Sequence, residues 1–249
     1  MRRIIINADD CGMSTIVNAQ IEKAILARKI SSTTVMANMD DFEGALKLYN
    51  TYSKDISFGW HLNLTEGTPL LYSQLLLDYG YYIERGDHVE FNGKKFWKKL
   101  LPKCVRDDIM KELITQYDKL SSSGIKISHM DSHQHIHTSP SMLLILPQLC
   151  NALDIRKVRN IRNYVPLSLS YIIRRLWGKQ LLMRVNNSYT TQFFCSYKEF
   201  RENPNIWNFK TLELMCHPGH PGKQFEEEVH LLMNDEIDST HHIISYIEL

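Results

Sequence analysis

The chain lacks the marks of most specialised protein classes. Its five cysteines (Cys11, Cys104, Cys150, Cys195 and Cys216) are odd in number, widely scattered and without a C-x-x-C pair. That excludes a disulfide framework and a zinc ribbon, and a reducing compartment is the simplest reading. Charge of one sign is also missing: 29 Lys+Arg against 28 Asp+Glu leave +1, so no overall electrostatic case exists for nucleic acid or an anionic membrane. Long apolar runs are absent too. Ile4-Ile5-Ile6 is cut by Asn7-Ala8-Asp9-Asp10 well short of a signal-peptide core, and Met142 to Leu146 stops at Pro147, far short of a bilayer span. There are no repeats, low-complexity tracts or linkers. At 249 residues this predicts one domain able to bury a core without staples, soluble and cytoplasmic.

What is present begins as alternating strands and helices. Arg3 to Asn7 has a continuous apolar centre and reads as a strand buried on both faces. Asp9, Asp10 and Gly12 interrupt it, and Ser14 is placed to cap a helix with Val17, Ile21, Ala24 and Ile25 on one stripe. Ser31 to Ala37 is β-branched and reads as a second strand, a helix follows from Asp41 to about Tyr52, and Ile56 to Leu64 holds a third strand. The order βαβαβ favours a parallel sheet or barrel.

From Glu66 to Leu101 the pattern breaks into an aromatic insertion with Tyr72, Tyr79, Tyr81, Tyr82, Phe91, Phe96 and Trp97. Two readings stand beside each other: an elaborated loop with its own small core, or a wall offering flat rings to a sugar. Pro102 to Ser122 and Met142 to Leu153 read as helices, Lys157 to Ile161 as a short strand, and Ser188 to Cys195 as a further strand segment. Ile155 to Lys198 holds nine Lys/Arg and no acid, which reads as a solvated basic face. Thr211 to Cys216 is a clear strand delivering His217, then come a helix over Phe225 to Met233 and a short strand over Ile243 to Ile247.

The densest chemistry lies in Ser128 to His137, S-H-M-D-S-H-Q-H-I-H. On an extended strand His129, Asp131, His133, His135 and His137 would share one side. Such a face is no hydrophobic core, and neutral imidazole is the commonest transition-metal ligand. Two residues advance a strand by roughly 6.5–7 Å, so only one or two of these histidines reach one ion and other ligands must come from elsewhere. Acidic or histidine residues in fact follow four predicted strands: Asp9 and Asp10, His61, the His-rich run, and His217. In parallel α/β folds the carboxyl ends of strands gather at one face, where active sites are built. Together they supply a divalent-ion site with an open position.

N-A-D-D-x-G (Asn7 to Gly12), H-L-N-L-T-E-G (His61 to Gly67), the His-rich run and E-L-M-C-H-P-G (Glu213 to Gly219) resemble the YdjC-like family of carbohydrate deacetylases. The resemblance implies a distorted TIM-type α/β barrel related to polysaccharide deacetylases. It implies removal of N-acetyl groups from small amino-sugar oligosaccharides with a divalent metal, and a homodimer as a candidate assembly. Carried over residue by residue, Asp10, His61 and His133 become the metal ligands, Asp9 the base or water-orienting residue, and His217 the general acid. His129, His135 and His137 become supporting or substrate-facing residues. The family is usually described with Mg2+, whereas two histidines and one aspartate suit Zn2+ on ligand type. Cys11 departs from the family, which usually has an aromatic residue there, and the segment after Met233 is short. Two other classes fit part of this residue set: another metal hydrolase, such as an amidohydrolase or phosphoesterase, and a non-catalytic sugar-binding protein.

Overall fold

β1 (Arg2–Cys11) is the central strand, and its composition explains why: Ile4, Ile5, Ile6 and Ala8 are all buried, so both faces are covered. The computed structural model describes residues 2–93, 100–164, 176, 189–204, 208–236 and 241–249. Beyond β1 the strands are β2 (Ser32–Val35), β3 (Ser57–Leu62), β4 (Tyr82–Arg85), β5 (His88–Phe91), β6 (Met130–Ser132), β7 (Phe193–Ser196), β8 (Thr211–Cys216) and β9 (His241–Ile243). The main sheet runs β6-β3-β2-β1-β8-β7, every neighbouring pair parallel, with β9 paired to the first residues of β1.

One irregular segment joins the two edges of this curled sheet. Val158 bridges Met130 of β6, Lys157 bridges Tyr189, and the Asn163 N–H donates to the Phe194 carbonyl of β7 at 3.1 Å. The result is the distorted α/β barrel that the resemblance implied. The strand expected over Lys157 to Ile161 forms only these bridges, yet it closes the ring and aims Arg159 inward.

Helices cover the barrel: α1 (Thr15–Leu26), α2 (Phe42–Tyr52), α3 (Gln74–Asp78), α4 (Lys103–Ser122), α5 (Met142–Ala152), α6 (Tyr197–Glu202) and α7 (Lys223–Asn234). Ser14 caps α1 as its position predicts, its Oγ accepting from the Val17 N–H at 3.3 Å, and Val17, Ile21, Ala24 and Ile25 are the buried stripe. Among the described residues no helix is long and apolar enough to cross a membrane.

Four expectations are revised. The His-rich run is not one strand: β6 ends at Ser132, and His133 to Thr138 form a 3-10 turn in which Gln134 (φ 51°) and His135 (φ 56°) are left-handed. The cause is local, because Ser132 Oγ accepts from the His137 N–H at 3.0 Å and pairs with its ring Nδ1 at 2.5 Å, pulling the chain round. The last strand covers His241–Ile243, and Tyr246–Glu248 is a 3-10 turn. In the insertion, Tyr81, Tyr82 and Phe91 join the main core rather than a separate one, while Tyr72 and Tyr79 are exposed. Phe96 and Trp97 lie outside the described residues, as does most of the basic stretch, but Arg159 within it is fully buried, not solvated.

Candidate active site

A β-bulge builds the acidic end of the site. The β1–β2 register shifts between Ala8 and Cys11, and Asp10 sits there with φ 67°. Regular alternation would send Asp9 and Asp10 to opposite faces; the left-handed residue turns both carboxylates toward the barrel mouth, storing strain of a kind that concentrates at functional sites. Asn18 holds the bulge from behind, its Oδ1 accepting from the Gly12 N–H at 2.8 Å and its Nδ2 donating to Asp41.

Around Asp10 stand the two histidines that the resemblance implies as its co-ligands. His61 Nε2 lies 3.1 Å and His133 Nδ1 2.8 Å from Asp10 Oδ1, and the three ligand atoms all lie within 4.8 Å of one another. Donors bound about 2.0–2.2 Å from one ion sit about 3 Å apart, so the two contacts to Asp10 are compatible with a shared cation. Asp10 Oδ2 is buried without a hydrogen-bond partner. His61 is oriented from behind by Asp131, whose Oδ1 is 2.6 Å from His61 Nδ1, leaving Nε2 to face Asp10.

Charge makes the same point. Asp9, Asp131 and Glu213 are buried against the buried guanidinium of Arg159, and Asp10 is buried beside them, facing His61 and His133. Burial pushes Glu213 up to about 7 despite Arg159, and its carboxyl accepts from the Tyr246 hydroxyl. Burial opposes protonation of His61 and His133, but Asp131 and Asp10 overcome it and raise them to about 10 and about 9. Without a metal the site thus holds protons where a cation would otherwise sit, and those protons leave when a metal binds. The orphaned carboxylate oxygen, the donor set and the excess of buried acid all fit a divalent ion.

Arg159, which composition placed on a solvated face, is the hub. Its Nη1 and Nη2 donate to the two Asp9 oxygens at 2.6 and 2.7 Å, its Nε donates to Glu213 at 2.7 Å, and Asp131 Oδ2 is 2.7 Å from Nη1. The guanidinium lies 4.7 Å from the Phe194 ring centre. Burial would raise the Asp9 carboxyl, but Arg159 overrides it and holds Asp9 well below the usual range. Replacing Arg159 by Met should cost about 3–5 kcal/mol of stability, because it strands three buried carboxyl groups. Chemical denaturation of the metal-free protein checks this, and an unchanged midpoint would refute it.

His217 directly follows β8, with Nε2 3.9 Å from Asp9 Oδ2. Glu228 of α7, 4% exposed, accepts from the His217 N–H at 3.1 Å and pairs with Nδ1 at 3.0 Å. Burial alone would lower His217, but Glu228, Asp9 and Asp10 raise it and favour the imidazolium. Phe225 packs against His217 (4.7 Å between ring centres) and His220 (4.4 Å), and His220 Nε2 is 3.9 Å from the orphaned Asp10 Oδ2. The other histidines do not join the triad. His129 is stacked on Tyr246 at 3.6 Å, His137 pairs with Ser132, and His135 abuts Phe194. Sequence reasoning missed Arg159, Asp131 as the partner of His61, and Glu228. The D-S-H spacing carried a signal for Asp131; the others had none.

A family model described as YdjC-like protein matches residues 3–241. The chain is 29% identical over 229 residues to a carbohydrate deacetylase of Clostridium beijerinckii, covering 88% of this chain and 82% of that one. It is 31% identical over 222 residues to one from Geobacillus stearothermophilus (88% and 80%), and 27% identical over 257 residues to one from Vibrio cholerae (94% and 89%). A crystal structure from Enterococcus faecalis V583, of a protein named for a proposed role in cellobiose-phosphate cleavage, superposes with a TM-score of 0.74 at 18% identity. It covers 99% of this chain and 98% of its own, a likeness of fold.

Proposed function

The chain belongs to the YdjC-like family, and on that footing we propose that it removes N-acetyl groups from small amino-sugar oligosaccharides of the chitobiose type, with a divalent metal held by Asp10, His61 and His133. That it is an enzyme, a hydrolase of the carbohydrate deacetylase class, follows from relatives of that name aligned over most of both chains. The observation that carries the finer reading is the approach of the His61 and His133 nitrogens to Asp10 Oδ1, while Oδ2 of the same buried carboxylate has no hydrogen-bond partner and Asp9 and His217 stand beside it.

An amide is a poor electrophile with a poor leaving group, so its hydrolysis needs an activated water, a stabilised oxyanion and a proton for nitrogen. When bound, the divalent ion supplies Lewis-acid activation of water and of the acetyl carbonyl. Mg2+ follows the family habit and Zn2+ the donor types. Asp9, kept ionised and pinned by Arg159, orients the attacking water and takes its proton as the nucleophile adds. His217, kept protonated by Glu228, donates to the departing nitrogen. Phe225 offers an apolar ring beside His217 and His220, suited to the acetyl methyl.

The direct test is acetate release from diacetylchitobiose by the purified protein, after chelation and after metal return. Acetate produced only with metal supports the proposal. Metal-dependent turnover of phosphate esters without acetate release would replace it with the phosphoesterase alternative.

A pH prediction follows from Glu228. His217 acts as the acid below its raised pKa, so activity falls as pH rises through that value. Glu228→Gln keeps an acceptor for the backbone N–H but removes the largest raising partner while burial persists. The alkaline limb of kcat/KM should therefore move to lower pH, with metal content unchanged. An alkaline limb that stays in place would detach Glu228 from the acid.

A further inference from the structure

The loop after β3 brings Glu66 to the mouth of the site on a backbone more tightly held than a surface glutamate requires. Asn63, wholly buried, accepts from the Glu66 N–H at 3.2 Å and donates to the Glu66 carbonyl at 2.8 Å. Asn38 donates to the same carbonyl at 3.2 Å. Gly67 follows with φ 73°, where a Cβ would lie 2.7 Å from Met39 Sδ. So placed, Glu66 Oε1 accepts from Gln134 Nε2 at 2.9 Å and lies 3.2 Å from His133 Nε2. Gln134 reaches it from a left-handed backbone, φ 51°. The other nitrogen of the ring, His133 Nδ1, faces Asp10.

A ligand imidazole needs one nitrogen bare and the other held by an acceptor, and a carboxylate commonly serves. His61 has such a partner in Asp131, on Nδ1, which leaves Nε2 toward Asp10. His133 is turned the opposite way, with Nδ1 toward Asp10 and Nε2 outward. On that outer side Nε2 is buried without a hydrogen-bond partner, and the carboxylate oxygen 3.2 Å from it is Glu66 Oε1.

We infer that Glu66 is a positioning residue for His133: by taking the Nε2 proton as a hydrogen bond, it leaves the Nδ1 lone pair aimed at the cation that Asp10, His61 and His133 share. The inference rests on the metal site proposed above. A merely structural role predicts something different, because a half-exposed pair contributes little to stability. Glu66 should therefore matter for metal affinity and hardly at all for melting.

The test titrates the metal-free protein with Zn2+ alone by calorimetry, comparing wild type, Glu66→Ala, Glu66→Gln and His133→Ala. Imidazole 15N spectra of the Zn2+-loaded wild type accompany it. Glu66→Ala should bind Zn2+ about 10–100-fold more weakly, the range for an outer partner of a ligand histidine, with its metal-free melting temperature unchanged. Glu66→Gln keeps a carbonyl acceptor and should recover most of that loss. His133 should be metallated at Nδ1 and protonated at Nε2. Wild-type affinity in Glu66→Ala beside weak binding in His133→Ala would overturn the role of Glu66 alone, as would metallation of His133 through Nε2. Wild-type affinity in His133→Ala would instead remove the metal-ligand reading on which the role depends.

Discussion

His133→Ala is expected to lose bound metal and deacetylation together while the protein stays folded, and His61→Ala to do the same. Each removes one of three donors around Asp10. Loss of an outer partner already weakens a site by about 10–100-fold, so loss of a ligand should cost on the order of 10²-fold or more in affinity. The fold should survive for reasons particular to each site. His133 lies in the 3-10 turn beyond β6, outside the sheet ladder. His61 is in β3, but its removal still leaves Asp131 bonded to Arg159 and Thr34, and Asp10 facing His133. Metal analysis of the purified variants, with circular dichroism and thermal melting, checks both halves. His129 is not placed to substitute: it is stacked on Tyr246, and its Nε2 is 3.4 Å from Ser32 and 3.3 Å from Asn7. Wild-type metal content in His133→Ala would thus refute the ligand assignment.

His217→Ala should keep the metal and lose about 10²–10⁴-fold in kcat/KM on acetamides, the range for one general acid. An activated acetyl ester, whose leaving group needs no proton, should be largely spared, because Asp9, Arg159 and the triad remain in place. The alkaline limb of the pH profile should vanish with the side chain. The acid limb should remain and should not be that of Asp9, which Arg159 keeps ionised far into acid. Equal losses on amide and ester in the metal-loaded variant would sink the general-acid role and leave stabilisation of the oxyanion in its place.

How far these residues could be read beforehand depends on the range of the interaction that places them. β1, β2, β3 and β8 were legible because a buried parallel strand writes itself as a local apolar run, and the polar residue ending each run marks the barrel's carboxyl edge. Asp9, Asp10, His61 and His217 fall there as expected. The His-rich run was legible as chemistry but not as conformation, since the Ser132 hydroxyl ends the strand at the fifth residue of the run. Arg159 was illegible: its partners are Asp9, 150 residues earlier, and Glu213, 54 later. Composition saw only a basic stretch and placed it in water.

By itself the sequence determined a parallel α/β class, the succession of strands and helices along the chain and the kinds of donor at the strand ends, because these depend on neighbours within a few residues, while the barrel was implied by the family resemblance. The tertiary structure alone decided which nitrogen of His61 and His133 meets Asp10, which carboxylates Arg159 holds, and that Glu228 supports His217. The physical reason is that protonation, tautomer and ion pairing follow distance through space, where buried charges a few ångströms apart interact strongly. Those distances exist only once the barrel has closed.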